Sequence, residues 1–261
     1  MESLAIALLG FFTVGYFVLA GADLGIGMLL PALARGPWER RLTLAATGPP
    51  LARGGEMWLL AAVGVLLCCL PGLPDTLLPG PYAVLVPLFL GTAARGAGLW
   101  RRERRGSGQL GARLRADGLA VCGSWLVALS WGWLLAVLLT SGATQPLALG
   151  PAACTALAVT ALFALHGLAF GALRLTGKPF ERARLLAGRR SGRQSFALTS
   201  VAIAALPLAA GTQLPLRDAA AGGPVPWLAV PVLLAVALAL VAVQLRAWRH
   251  TFGDGAGGGS R

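Results

Sequence analysis

The chain has 261 residues, of which 56% are hydrophobic and 12% charged, with a mean hydropathy of +0.72 and a formal net charge of +12. Soluble domains carry roughly 25% charged residues, so a soluble enzyme is excluded. A nucleic-acid-binding module is excluded as well, because the positive charge is spread between apolar stretches instead of forming one patch.

Seven stretches approach the roughly 20 apolar residues needed to cross about 30 Å of hydrocarbon: Leu4–Leu29, Glu56–Leu70, Pro81–Trp100, Gly118–Thr140, Ala152–Leu175, Ser195–Ala210 and Pro226–Ala247. The first follows Glu2 instead of a basic segment. Its apolar run also exceeds the roughly 7–15 residues of a cleavable signal core, so it reads as a retained span. The second and sixth are short and borrow flanking residues. Of the 22 Lys and Arg residues, all but Arg217 fall in alternate gaps: 35–53, 95–115, 174–193 and 246–261. The intervening gaps, around Pro71–Pro79, Ser141–Gln145 and Thr212–Pro226, contain Arg217 alone. Cations beside membrane spans stay on the cytoplasmic side. The expectation is therefore an all-α, polytopic protein of the bacterial plasma membrane with the N-terminus outside and the C-terminus cytoplasmic. An odd number of spans fits that orientation, and the basic loops face anionic lipid head groups. Residues 1–252 read as a single transmembrane helical domain, and 253–261 as a Gly-rich flexible tail. Trp38, Trp100, Trp227 and Trp248 fall at predicted interfaces, where amphipathic rings are favoured.

Ionisable groups inside spans are costly and therefore informative. Asp23 lies toward the cytoplasmic end of span 1, Glu56 opens span 2 from the same side, and Arg95 sits one to two turns into span 3. Their common depth predicts a buried polar cluster in which Arg95 compensates one or both carboxylates, or three separate interfacial residues. The same carboxylates are the candidates for proton entry. Gly21, Gly25 and Gly27 surround Asp23 in GADLGIG and permit close helix approach. The spacing does not match a dinucleotide loop and no strand precedes it. His166, mid-span in FALHGLAF, is read as a structural hydrogen-bonding residue. Two-ligand haem binding needs two donors. The second histidine, His250, lies near the C-terminus, and Met28 and Met57 lie in the cytoplasmic half, so no haem is expected here. Cys68, Cys69, Cys122 and Cys154 read as apolar packing residues, with no metal site and no disulfide framework. No hydrolytic or nucleotide-binding motif is present, and no catalytic residue is assigned.

The stretches GADLGIGMLLP, ERR at Glu39–Arg41 and GPP…GGEMWLLAAVGVLL at Gly48–Leu67 resemble subunit II of cytochrome bd-type quinol oxidases. DGLAVCGSW at Asp117–Trp125 is similar to the family's fourth-span pattern, and LHGLAFGALRLTGKPFERAR at Leu165–Arg184 to its fifth-span segment. The order is kept from Leu4 to Arg193, and more loosely through span 7. Three departures stand out. Arg53 occupies the place of a family Asp associated with a proton route, and Ala52 that of its Trp. Gly55 replaces an Asn, while Glu56 is retained. The chain also ends soon after span 7, where family members continue, so a four-helix bundle would be followed by an incomplete second bundle.

The resemblance implies a heterodimer with a subunit I that carries haem b, haem d and the quinol-oxidising site. This chain would be haem-free, would stabilise that partner and could hold a quinone; a small extra membrane subunit is a candidate source of the missing helices. The competing expectation is a non-catalytic membrane assembly factor or a small transporter reusing the fold.

Overall fold

The computed structural model describes residues 2–73, 82–104, 110–140, 149–188, 192–220 and 224–253. The neutral gaps at Pro71–Pro79 and Ser141–Gln145 fall partly or wholly outside these residues, as does most of the Gly-rich tail. The side chains of Arg53, Trp248 and His250 also lie outside the described set.

Eight helices account for nearly all the described residues, and no strand occurs among them. They are α1 (Glu2–Leu33), α2 (Pro37–Cys69), α3 (Tyr82–Arg104), α4 (Leu110–Thr140), α5 (Leu149–Arg174), α6 (Gly177–Ala187), α7 (Gly192–Gly211) and α8 (Val225–Gly253). Five of them, α1, α4, α5, α7 and α8, are long and apolar enough to cross a membrane. The second expected span corresponds to the apolar half of α2, Gly55–Cys69, and the third lies on α3, which runs from Tyr82 into the basic sequence Arg101–Arg104.

α1 is the hub. It packs against α2, α4, α5 and α7 and touches α6 and α8, while α3 lies along α4 and α8 along α2. Between helices in lipid, close van der Waals packing replaces the hydrophobic effect, so small residues set the contacts. Gly25 of α1 and Gly167 of α5 face each other so closely that a Cβ on Gly25 would stand 2.8 Å from the Gly167 Cα. Gly91 of α3 and Gly123 of α4 meet in the same way, with a Cβ on Gly123 falling 2.7 Å from the Gly91 carbonyl oxygen. Farther from the basic end, an aromatic cluster fills the interior. Phe17 packs edge-on to Trp131 with ring centroids 5.0 Å apart, and the Trp131 Nε1–H donates to the Tyr16 hydroxyl at 2.9 Å.

At the arginine-rich end the structure departs from expectation. Residues 37–55, expected to be a loop, are helical and continuous with the second apolar stretch. Pro37 suits the first helical position, and the following Glu, Arg, Leu and Ala residues favour helix once it has started. The 33 residues of α2 make a rod about 50 Å long, well beyond the hydrocarbon thickness. A second addition is α6, which buries Pro179 and Ala183 and stops at Gly188, whose φ of 85° suits glycine. These extensions cap α1: Arg182 donates to the Leu33 carbonyl at 2.9 Å and Arg40 to that of Ala34 at 3.2 Å, supplying partners for C-terminal carbonyls that helix geometry leaves open.

The cysteines divide unevenly. Cys69 is buried as a packing residue, whereas Cys68, Cys122 and Cys154 are exposed on outer helix faces; all four are free thiols. An apolar thiol is as compatible with lipid as with a protein core, which is why composition alone did not separate the two.

Candidate functional site: an ion pair at the helix hub

Asp23 projects from α1 where glycines on both sides let neighbouring helices close in. Gly21 faces Ile203, Phe163 and His166, Gly25 faces Gly167, and Gly27 faces Ser124. Each glycine of GADLGIG thus admits a different contact, and Asp23 is left 6% exposed in their midst. Arg95 arrives from α3. Its backbone lies against Gly123, where a Cβ would fall 2.6 Å from the Arg95 nitrogen. The side chain crosses α4, its Nε donating to the Ser124 Oγ at 3.1 Å and its Nη2 to the Asp23 Oδ2 at 2.6 Å. The Ser124 hydroxyl in turn donates a hydrogen bond to the Ala120 carbonyl at 2.8 Å. A Cβ on Gly27 would collide with the Ser124 hydroxyl and reach within 3.8 Å of the Arg95 Nε. The arrangement ties α1, α3 and α4 together through one charge pair whose hydrogen bonds are directed at defined partners, as an ion pair removed from water requires.

Glu56 is placed otherwise. It is exposed on α2, and among the described residues no ion pair joins it to Arg95. The expected cluster therefore joins Arg95 to Asp23 and leaves Glu56 outside the ion pair.

His166 is fully buried and uses both ring nitrogens. Nε2 lies 3.1 Å from the Val18 carbonyl oxygen of α1, and Nδ1 lies 2.7 Å from the Thr199 Oγ1 of α7. A carbonyl can only accept, so Nε2 carries the hydrogen. In the neutral ring Nδ1 then accepts from the Thr199 hydroxyl. Phe196 stacks on the imidazole at 4.7 Å and 16°. The ring bridges α1, α5 and α7, and both nitrogens that would otherwise ligate haem iron are engaged. Among the described residues no group of three or more His, Cys, Asp or Glu is arranged to hold a metal ion.

The segments GADLGIG, DGLAVCGSW and LHGLAF therefore meet in space: Asp23 and Gly27 with the Ser124 region, Gly25 with Gly167, and Trp125 Nε1 donating to the Met28 carbonyl at 3.3 Å. The sequence profile of cytochrome bd terminal oxidase subunit II matches residues 1–256. The chain belongs to this family. Among the relatives of this subunit II, the cytochrome bd ubiquinol oxidase subunit 2 of Bacillus subtilis (strain 168) is 35% identical over 83 residues, covering 32% of this chain and 24% of that protein. The cytochrome bd-I ubiquinol oxidase subunit 2 of Escherichia coli (strain K12) is 29% identical over 97 residues, 37% of this chain and 25% of the relative. The matched region thus spans about a quarter of each of these two relatives. With five helices fit to cross a bilayer among the described residues, this subunit II is a bacterial membrane protein and a cytochrome bd oxidase component.

Two further charged ties were not anticipated. Asp117, 5% exposed on α4, accepts hydrogen bonds from Arg40 of α2 at 3.2 Å and from Arg102 of α3. Glu39 of α2 accepts from Arg182 of α6 at 2.6 Å and from the Arg35 backbone N–H at 2.9 Å. The Arg182 guanidinium and that backbone N–H pull the Glu39 carboxyl down to about 2. The available signal was the rarity of acids: Glu39 and Asp117 stand in strongly basic surroundings, where a lone carboxylate has cations to pair with from any side.

Proposed function

We propose that the chain is the haem-free subunit II of a ubiquinol or menaquinol oxidase of the cytochrome bd type. It spans the bacterial plasma membrane seven times, with the N-terminus outside and the arginine-rich end cytoplasmic. A subunit I holds haem b and haem d, oxidises the quinol and reduces dioxygen to water. The share of this chain is to stabilise that partner. The observation that carries the reading is the Asp23–Arg95–Ser124 tie. A proton carrier must lose and regain its proton at each turnover. A carboxylate with a fixed guanidinium 2.6 Å away is instead held as a structural counter-charge.

The apolar cavity of about 520 Å³ between α1, α2, α4 and α7 suits the isoprenoid tail of a quinone or a lipid chain. Thr13 and Thr212 on its wall donate to the carbonyls of Leu9 and Ala209, and Trp131 donates to Tyr16, so these donors are not offered to a quinone ring.

The test is Asp23→Asn in the assembled oxidase. We expect a lower yield and thermal stability, with quinol-driven oxygen uptake per haem d close to wild type. A loss of about a hundredfold per haem in a fully assembled sample, the scale of a missing acid–base group, would assign Asp23, with Glu56 beside it, to proton entry instead. Purification in mild detergent addresses the class as a whole. Co-elution with a larger membrane protein bearing b- and d-type haem spectra is expected, whereas a colourless lone chain favours an assembly factor or a small transporter.

A further inference from the structure

We infer that the arginine-rich end of the bundle contains a headgroup site for one anionic phospholipid, formed by Arg35, Arg40, Arg102 and Arg113. These side chains come from the α1–α2 connection, α2, α3 and α4, and together with Asp117 and Leu114 they line a small cavity of about 30 Å³. Four guanidiniums there face one carboxylate, which is already shared by Arg40 and Arg102. Glu39, the next acid along α2, is occupied by Arg182 and the Arg35 backbone. Burial, with Arg113, Arg40 and Arg41 alongside, holds the Arg102 guanidinium below its ordinary pKa. Among the described residues the lining thus sets four cations against this single carboxylate, an excess of positive charge. Phosphate suits it in shape as well as charge, because guanidinium forks bind its oxygens two at a time. A cavity of this size admits phosphate oxygens and leaves the rest of the molecule outside.

Two features favour a lipid over a free anion. Trp38 and Trp100, 65% and 53% exposed, lie one and two residues in sequence from Pro37 and Arg102 of the lining, and exposed tryptophans favour the headgroup level of a membrane. From Leu114, an exposed lane runs along α4 through Gly118, Cys122, Trp125 and Leu129 at helical spacing, and offers an acyl chain a path toward the bilayer centre. The inner leaflet, where this end lies in the orientation proposed above, is the leaflet this charge would meet; the geometry of the site does not depend on that orientation.

The experiment uses the purified oxidase complex, delipidated in detergent and then given dioleoylphosphatidylglycerol, dioleoylphosphatidylcholine or inorganic phosphate. Native mass spectrometry counts the retained lipid and Trp fluorescence follows thermal unfolding. One phosphatidylglycerol per complex should be retained and should raise the unfolding temperature, while phosphatidylcholine and inorganic phosphate should not. Arg35→Gln with Arg113→Gln should weaken retention by about fivefold per arginine, Arg113→Lys should restore most of it, and Arg217→Gln at the opposite end should change nothing. Retention equal to wild type in the double variant overturns the inference. So does protection by inorganic phosphate alone, which would indicate a free-anion site. Loss of the partner subunit with phosphatidylglycerol retention unchanged would make the cluster a protein interface and equally refute it. If the double variant does not assemble, the Arg113→Gln single variant carries the same comparison.

Discussion

Arg95→Met removes the guanidinium from the hub while keeping an apolar side chain of similar reach. In the native structure the opposing charges lie in contact, with N···O at 2.6 Å and side chains 16% and 8% exposed. Unit charges 4 Å apart attract by about 4 kcal/mol at an effective dielectric of 20, and deleting one partner of a buried pair costs about 3–5 kcal/mol because the other charge is left without compensation. The Ser124 hydroxyl also loses its donor, a further loss of about 1 kcal/mol. Partial exposure of Arg95 places the single variant near the lower end, at about 3 kcal/mol. Asp23→Asn combined with Arg95→Met removes both charges, and a neutral pair of similar volume should recover all but about 1–2 kcal/mol. The assay is a double-mutant cycle on the purified complex, unfolded by increasing mole fraction of denaturing detergent and followed by tryptophan fluorescence. If the double variant is no more stable than Arg95→Met alone, or if Arg95→Met costs less than about 1 kcal/mol, the pair is not what holds α3 and α4 to α1.

Three other outcomes follow from the same geometry. Gly167→Val should abolish assembly or cost at least about 3 kcal/mol, at the upper end for overpacking, because its Cβ would fall 2.6 Å from the Gly25 Cα, whereas Gly96→Ala, with nothing within 4 Å, should match wild type in yield and unfolding temperature. Thr199→Val removes the donor to the His166 Nδ1 and should cost about 0.6–1 kcal/mol, read by the same detergent titration. Glu39 has its carboxyl lowered from 4.5 to about 2 in the folded chain, so its contribution is complete above pH 4.5 and is lost as the pH falls from there toward 2. Hydrogen-exchange protection across residues 177–187, taken relative to the intrinsic rate at each pH, should fall over that window, and Glu39→Gln should leave protection low and independent of pH.

Depth was readable in the residue pattern because hydropathy and the placement of Arg locate each residue along the membrane normal. That is how Asp23 and Arg95 came to be paired in expectation before any contact was known. Rotation about the helix axis was not readable. A helix in lipid is apolar on the face that meets acyl chains and on the face that meets other helices, so no polar stripe tells the two apart. Glu56 shows the consequence: it was expected in the cluster with Asp23 and Arg95 yet is exposed on α2. The same ambiguity put Cys68, Cys122 and Cys154 on outer faces when packing roles were expected. At the basic end, the gap between apolar stretches and its arginines suggested a loop, but Pro37 at the first helical position is compatible with helix, and the carbonyls of Leu33 and Ala34 recruit Arg182 and Arg40. Tertiary partners of that kind lie far away in sequence and leave no local trace.

The central placement of α1 has a consequence for biogenesis. It leaves the ribosome ahead of its partners: Arg95 follows Asp23 by 72 residues, and His166 follows Val18 by 148. At about 5–20 residues per second, the helix waits several seconds with its carboxylate lacking a cation, and longer still for the imidazole. Its insertion is therefore provisional until downstream segments arrive, and the translocation machinery has to retain this segment beside the pore rather than release it alone into the lipid.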